Sequence, residues 1–279
     1  MGAPKYSVVI PTLGRKDEVL ALLDSISRQE YEDLEVIIVD QNADERLIDV
    51  VTKHKEFYRI SHLRVSFRGA SRARNYGALR ARGDIIFFPD DDAELLDGFF
   101  EKADMIFSEN PGAAAIFGKC VDREGFDSVM KFAEFPGSLT IKKHVGMFVE
   151  ATMLIRRDVF SGNNFDEGLG VGTFHGAEEA YDLVLRLIGS GLSLYYDPNL
   201  IIYHPNKVMN YQSDAEIMRV FTYRCGFAKL CRKHRLYRKL FSRVFALIGY
   251  MPYLVLMRRS RLRYYCAELA GIFSGLVIK

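Results

Sequence analysis

Cysteine is scarce in this sequence of 279 residues. The four cysteines, Cys120, Cys225, Cys231 and Cys266, include no CxxC pair and are too few for the disulfide framework of a secreted scaffold. We therefore expect a reducing compartment and interpret all four as buried thiols. The G-x-x-x-x-G-K-S/T motif, in which backbone N–H groups cradle phosphates, is also absent.

Signals for export are missing as well. The opening MGAPKYSVVIPT enters a predicted strand almost at once and has no charged segment followed by a long apolar stretch, so we expect no signal peptide. Its Met-Gly start lacks the Ser or Thr of a myristoylation signal. We expect a cytoplasmic protein.

Charge is divided unevenly along the chain. Residues 207–279 hold 15 Lys and Arg against 3 Asp and Glu, which leaves 23 against 33 in the rest of the chain. The sequence therefore predicts an acidic domain over residues 1–205 and a basic tail over residues 206–279.

Short apolar runs alternate with helical patterns in the first part of the chain. The predicted strands are Ser7–Pro11, Glu35–Asp40, His62–Phe67 and Asp84–Pro89, and the predicted helices between them include Asp17–Arg28 and Ser71–Ala81. This alternation is typical of right-handed crossovers, so we predict an α/β fold with a mainly parallel, Rossmann-like sheet flanked by helices. Two further edge strands are expected at Leu194–Asp197 and Leu200–His204.

Carboxylates follow two of these strands. Asp40 ends the second strand, and Asp90, Asp91 and Asp92 come directly after the fourth. Open α/β sheets bind ligands at the carboxyl ends of their strands, and carboxylate oxygens suit Mg²⁺ or Mn²⁺. The alternative is a solvated acidic turn, or aspartates placed favourably at a helix N-terminus.

A second acidic site follows the glycine-rich loop 168–176. Glu178 and Glu179 precede a helical pattern, where the helix dipole alone would favour them. The functional alternative is that the loop and this helix end form the acceptor side of a cleft.

The basic tail contains an apolar run, Val244–Met257, with basic residues on both sides. Its fourteen residues, interrupted by Pro252, fall short of the ~20 that a membrane-spanning helix needs. We therefore predict an amphipathic helical tail that associates with anionic lipid at the membrane surface. The alternatives are a helical hairpin packed on the acidic domain and, less favoured, a nucleic-acid site; we expect no nucleic-acid partner because the arginines alternate with large apolar residues.

The order of these motifs resembles the family 2 glycosyltransferases, inverting enzymes with the GT-A fold that include bacterial surface-polysaccharide enzymes. The resemblance covers roughly residues 5–205. SVVIPTLGR is similar to the opening strand and nucleoside-binding turn of the family, which implies that Pro11, Thr12 and Arg15 surround the base and ribose. VDQNADE is similar to the segment after the second strand, which implies a contact between Asp40 and the base.

The donor side is implied in the same way. SRARNYGALRARGD matches the donor-side helix of the family, so Arg74, with Arg72, is expected at the ribose or diphosphate. PDDD is similar to the D-x-D motif, which places Asp90 and Asp91 on the nucleotide and Asp92, with Asp90, on a divalent metal. The implied cofactor is Mg²⁺ or Mn²⁺.

The remaining motifs match less closely. YYDPNLIIYHP resembles the final strands, where His204 would join the metal, although a lone histidine is more often structural. GAEEAYDLVLRL resembles the acceptor motif G-x-E-D-x-D-L-x-x-R. Aligning Asp182 with the motif puts Ala180 at the usual catalytic base, whereas pairing Glu178 with Glu179 makes Glu179 the base and adds one residue before Asp182. We favour the second alignment.

The resemblance implies a metal-dependent inverting glycosyltransferase that uses a nucleotide-diphosphate sugar and a glycan or lipid-linked acceptor at the inner face of the membrane. Two alternatives stay open at this point. A nucleotidyl or phosphoryl transferase would use the aspartates as a metal clamp, and a non-catalytic scaffold would keep the fold alone.

Overall fold

The computed structural model describes residues 2–206 and 209–278. It divides into two compact units. The first, which we call the sheet unit, comprises residues 2–68, 72–164 and 186–206, and the second, the helical unit, comprises residues 69–71, 165–185 and 209–278. The compact units thus group residues 165–185 with the C-terminal helices, whereas the sequence-based boundary lies at residue 205. The assignment of residues 1–205 as a catalytic domain and 206–279 as a tail stays a prediction.

One half of the sheet is parallel. β1 (Tyr6–Thr12) pairs with β2 (Leu34–Asp40) and β4 (Ile85–Phe87), and β2 pairs with β3 (Arg59–Arg64), all in the same direction. Every residue of β1 and β2 is buried, as expected for apolar strands covered on both faces. The predicted α/β alternation is confirmed, although β3 begins and ends three residues before the predicted His62–Phe67.

The other half of the sheet is mixed. It contains β5 (Glu94–Leu95), β6 (Ala113–Val121), β7 (Gly137–Ser138), β8 (Leu154–Arg156) and β9 (Ser193–Tyr203). The order across the sheet is β3-β2-β1-β4-β8-β6-β9-β5, with β7 also on β9. β9 is a single strand where two were predicted, because its pairing with β6 continues past a register shift. Its last residues pair with β5, which follows the aspartates.

The helices before residue 165 are α1 (Asp17–Ser27), α2 (Ile48–His54), α3 (Ala70–Ala78), α4 (Phe99–Glu109) and α5 (Arg157–Ser161), with a 3₁₀ turn at Glu150–Thr152. Phe99, Phe100, Ala103, Ile106 and Phe107 form the buried face of α4. Their three- and four-residue spacing is the amphipathic pattern visible in the sequence.

The second half contributes α6 (Glu179–Gly189), α7 (Asp214–Lys233), α8 (Tyr237–Met257) and α9 (Arg259–Val277). α9 approaches α7 closely, because a Cβ at Gly271 or Gly275 would lie only 2.3 Å from a backbone carbonyl oxygen of α7. A buried carboxylate, Glu268, joins the helices by ion pairs to Arg224 (2.6 Å) and Arg243. The predicted helical tail is confirmed.

Two details of that tail were predicted wrongly. α8 has 21 residues rather than the fourteen of the apolar run, and by length and composition alone it could cross a membrane. The helix begins earlier because Leu240 continues the seven-residue spacing of Leu247 and Leu254 through the basic segment. Cys266 of α9 is exposed, whereas the other three cysteines are buried.

Candidate active site

Three potential metal ligands meet beyond the ends of β4 and β9. Asp90 and Asp92 follow β4, and His204 is the residue after β9. The His204 Nε2 atom lies 3.6 Å from Asp90 Oδ2 and 3.4 Å from Asp92 Oδ1. One ligand atom from each residue lies within 4.8 Å of the others. The pairing of β5 with the end of β9 holds the histidine beside the aspartates.

Two arginines form ion pairs with the carboxylate oxygens that do not face His204. Arg74, which is buried, lies 2.8 Å from Asp90 Oδ1, and Arg15 lies 2.7 Å from Asp92 Oδ2. Arg15 also pairs with Asp91, which is itself buried. Each ligand carboxylate therefore accepts from an arginine with one oxygen and turns the other toward His204.

The electrostatics of the cluster follow from these contacts. Burial opposes charge on Asp90 and Asp92, but His204 and the arginines outweigh it and keep both pKa values below the ordinary value. For Asp91, burial dominates over Arg15 and raises the pKa. Burial lowers the pKa of His204, but Asp90 and Asp92 overcome that effect and raise it to about 10. Asp90 and Asp92 are therefore ionised, and the positive charges of Arg15, Arg74 and His204 balance them. A metal that binds here must displace the proton on His204 Nε2.

This donor set fits a divalent metal. Two carboxylate oxygens and one imidazole nitrogen converge, and such mixed N/O ligands suit Mn²⁺ and related ions. The Nδ1–H of His204 donates to the Pro205 carbonyl oxygen at 3.0 Å, an arrangement that directs Nε2 toward the aspartates and is typical of metal-binding histidines.

A second polar cluster forms where β1, β2 and β3 end. Asp40 is buried, and its Oδ1 accepts from the backbone N–H and the side-chain amide of Asn42. His62 Nε2 donates to Asp40 Oδ2 at 2.9 Å, and the Gly14 N–H donates to Asn42 Oδ1. Asp40 is thus fixed in place by Asn42 and His62, neither of which we singled out in the sequence. A buried aspartate at a strand end needs hydrogen-bond partners. The position of Asp40 at the end of a buried strand was therefore the one sequence feature that pointed to such partners.

The other predicted donor residues occupy different places. Pro11 lies inside β1 opposite Val39, and Thr12 is the buried last residue of that strand, opposite Asp40. Arg72 is exposed, and its guanidinium lies 4.2 Å from the centre of the Phe67 ring. Arg74, on the same helix, forms the ion pair with Asp90 described above. Their roles toward a nucleotide stay predictions.

The helical unit contains both predicted glutamates at the start of α6. Glu179 is buried beside the glycine-rich loop, where Gly170 has a φ of +102°. A Cβ at Gly170 would lie 2.6 Å from Ser71 Oγ and 3.1 Å from Glu179 Oε1. The loop therefore needs glycine at this position, where its backbone packs directly against the Glu179 carboxylate.

Glu178 differs from Glu179 in backbone and environment. Its φ of +77° is unusual for a residue with a side chain and costs about 1–3 kcal/mol. Its carbonyl accepts the Asp182 N–H and so begins the helix. Burial raises the pKa of Glu178 and the neighbouring Glu179 adds to this, while Lys239 and Arg224 act in the opposite direction.

Asp182, predicted on the acceptor side, has no exposed surface. Its Oδ1 accepts from His234 Nε2 and Lys233 Nζ, each at 2.8 Å, and Lys233 also contacts Asp166 at 2.7 Å. Asp182 therefore ties α6 to the end of α7. We did not predict these two partners, because they lie in a basic run of the tail.

This sheet, with a carboxylate–histidine cluster at its strand ends, defines a GT-A fold with a candidate metal site. A family model of glycosyl transferase family 2 matches residues 7–162, more than half of the chain, and the protein belongs to that family. The predicted family and fold are confirmed.

Several glycosyltransferases are similar to this chain in sequence. An uncharacterised glycosyltransferase of Haemophilus influenzae is 29% identical over 215 residues, 74% of this chain and 67% of the relative. The GalNAc(5)-diNAcBac-PP-undecaprenol β-1,3-glucosyltransferase of Campylobacter jejuni is 34% identical over 126 residues, 44% of this chain. The chain spans only 40% of that enzyme's length in the match.

Solved structures show the same fold. The mannosyltransferase PcManGT of Pyrobaculum calidifontis, in complex with GDP-Man and Mn²⁺, has a TM-score of 0.67 at 18% identity, over 99% of this chain and 88% of its own. Residues 1–349 of Staphylococcus aureus TarS, in complex with UDP-GlcNAc, have a TM-score of 0.62 at 15% identity, over 97% and 91%.

Proposed function

We propose that this protein is an inverting, metal-dependent glycosyltransferase that moves a sugar from a nucleotide-diphosphate sugar to a glycan or lipid-linked acceptor in surface-polysaccharide synthesis. The observation that carries the proposal is the convergence of Asp90, Asp92 and His204, with one oxygen of each carboxylate held by an arginine. The complexes of PcManGT with GDP-Man and Mn²⁺ and of TarS with UDP-GlcNAc support a nucleotide-sugar donor.

Each group has a role in this proposal. Asp90, Asp92 and His204 would hold Mg²⁺ or Mn²⁺, which would supply positive charge to stabilise the departing diphosphate. Arg74 and Arg15 orient the two carboxylates, and Asp40 and Thr12 line the part of the site that accepts the nucleoside. Asp91 keeps Arg15 in position.

We assign the proton transfer to Glu179. Its carboxylate accepts the proton of the acceptor hydroxyl while the hydroxyl oxygen bonds to the anomeric carbon and the bond to the diphosphate oxygen breaks. The products are an inverted glycoside and a nucleoside diphosphate. The contact of the Glu179 carboxylate with the glycine-rich loop at Gly170 supports this choice over Glu178.

The charge of the tail and the name of one relative support a lipid-linked acceptor. The tail holds 15 basic residues against 3 acidic ones, and the name of the Campylobacter enzyme contains PP-undecaprenol, a lipid diphosphate. We therefore place the protein at the cytoplasmic face of the membrane, where such lipids present their head groups.

Product analysis tests the proposal. The purified chain should release nucleoside diphosphate from a UDP- or GDP-sugar in the presence of Mn²⁺, and Asp92→Asn should abolish the release. Asp33→Asn, an exposed aspartate next to the opposite end of β2, is the matched control and should keep full activity. Release of pyrophosphate instead would identify a nucleotidyl transferase, and undiminished turnover by Asp92→Asn would overturn the site assignment.

A further inference from the structure

α8 has an apolar surface that the described part of the chain leaves uncovered. Phe245, Ile248 and Leu256 are 69%, 50% and 77% exposed, and only 17% of the helix's most apolar stretch is buried. Phe241, which is 56% exposed, extends this surface, which we call the outer face of α8. Exposed apolar side chains this numerous on one helix mark an interaction surface.

The opposite side of the same helix is also apolar but is packed. Leu240, Leu247 and Leu254 recur every seven residues and are buried within the helical unit. Arg243, between them, pairs with the buried Glu268 of α9. Because the packed side of α8 is covered by the helical unit, only the outer face can contact lipid. α8 is therefore suited to lie in the plane of a bilayer surface.

The charges around the outer face specify which kind of surface it meets. α8 contains no Asp or Glu, and Arg258, Arg259, Arg261 and Arg263 follow its C-terminal end. Tyrosines cluster there as well: Tyr250 lies 5.2 Å from Tyr253 and 5.3 Å from Tyr265 between ring centres. Tyrosine and arginine beside an apolar helix are typical of a membrane–water interface with anionic lipid.

A polar cavity lies at this end of the helix. It has a volume of about 460 Å³ and is lined by Asn210, Tyr211, Gln212, Arg258, Ser260 and Arg261 among others. The guanidinium of Arg261 stacks on Tyr211, 4.3 Å from the ring centre, which holds it in place. None of the described residues that line the cavity carries a carboxylate, and Arg258 and Arg261 give this lining a positive charge.

We propose that this cavity binds the phosphate head group of an anionic membrane lipid while the outer face of α8 lies among the acyl chains. Arg258 and Arg261 donate to the phosphate oxygens, and Ser260 offers a hydroxyl. The proposal rests on the proposed function only in placing the chain at a membrane; it assigns the lipid contact to one helix face and one cavity. A second copy of this chain is the competing occupant of the outer face.

Vesicle flotation with the full chain tests both parts. Wild type should bind vesicles of phosphatidylcholine mixed with phosphatidylglycerol more tightly than vesicles of phosphatidylcholine alone. Phe245→Ser with Ile248→Ser should weaken binding to both kinds of vesicle by about tenfold or more, because apolar burial is lost. The control, Phe57→Ser with Leu79→Ser, changes equally exposed apolar residues of the sheet unit and should leave binding unchanged.

The cavity is tested by charge. Arg258→Gln with Arg261→Gln should lower binding to the phosphatidylglycerol vesicles by about 30-fold and spare binding to phosphatidylcholine. Lys55→Gln with Lys142→Gln removes the same charge from exposed positions of the sheet unit and should change binding much less.

Three results would overturn the inference. The first is an equal loss of vesicle binding in the Arg258/Arg261 and Lys55/Lys142 variants, and the second is no binding of wild type to phosphatidylglycerol vesicles. The third is a wild-type dimer in light scattering that becomes a monomer in the Phe245/Ile248 variant. Nucleoside-diphosphate release is measured for every variant and should be unaffected. If wild type binds vesicles but transfers no sugar, the proposed function fails while the lipid site stands.

Discussion

Replacement of Gly170 by alanine should separate sugar transfer from donor binding. The φ of +102° is unfavourable for alanine, at a cost of about 1–3 kcal/mol. The new Cβ would lie 2.6 Å from Ser71 Oγ and 3.1 Å from Glu179 Oε1, so both side chains must move. We expect a loss of about 2 kcal/mol in the free energy of unfolding and a fall of roughly 10- to 100-fold in transfer, since displacing a catalytic group by ~1 Å has effects of that size.

The assay compares three quantities in the same variant. Thermal unfolding should show a melting temperature lower by about 4–8 °C. Titration with UDP or GDP and Mn²⁺ should give an unchanged dissociation constant, because the donor residues lie in the sheet unit, while transfer falls. The control Gly249→Ala adds a methyl group where no atom lies within 4 Å and should stabilise α8 by about 0.5–1 kcal/mol. Full transfer activity in Gly170→Ala would refute the role of the loop beside Glu179.

Three further outcomes follow from the charged contacts. Lys239→Met removes a charge that lowers the pKa of Glu178, so the pKa of Glu178 should rise when its carboxyl group is titrated by NMR, and an unchanged value would contradict this interaction. Glu268→Gln should lower the free energy of unfolding by about 2 kcal/mol, measured in urea, by leaving two arginines without their shared carboxylate; an unchanged value would show that the pairs contribute nothing. Arg74→Met should cost about 2–3 kcal/mol in the same assay, and a stability equal to wild type would contradict its buried ion pair.

The strand ends were predictable because parallel strands have a plain sequence pattern. Continuous apolar runs ended at Thr12, Asp40 and the three aspartates, and the sheet topology then fixes which edge these residues share. Only the family resemblance predicted the position of His204 at the metal site. A histidine that follows a strand cannot be assigned a role until the residues around it are known.

Residues that act through contacts across the fold were missed. Asn42 and His62 hold Asp40, and the pairing of β2 with β3 brings them together from separate segments. Lys233 and His234 reach Asp182 from the end of α7, fifty or so residues along the chain. Neither contact leaves a periodic signal in the sequence.

The length of α8 was underestimated for a physical reason. Counting only uninterrupted apolar residues omitted the turns that contain Arg238, Lys239 and Arg243, although Leu240 keeps the helix packed there. The exposure of Cys266 could not be foreseen, because it depends on which side of α9 faces α7.

The central claim is that Asp90, Asp92 and His204 form a site for a divalent metal and a nucleoside diphosphate. Electron paramagnetic resonance of Mn²⁺ titrated into the metal-free protein, with UDP or GDP present, tests it without any need for the acceptor. We expect Mn²⁺ binding that depends on the nucleotide in wild type and in Asp33→Asn, and no Mn²⁺ binding in Asp92→Asn. Equal Mn²⁺ binding by wild type and Asp92→Asn would contradict it.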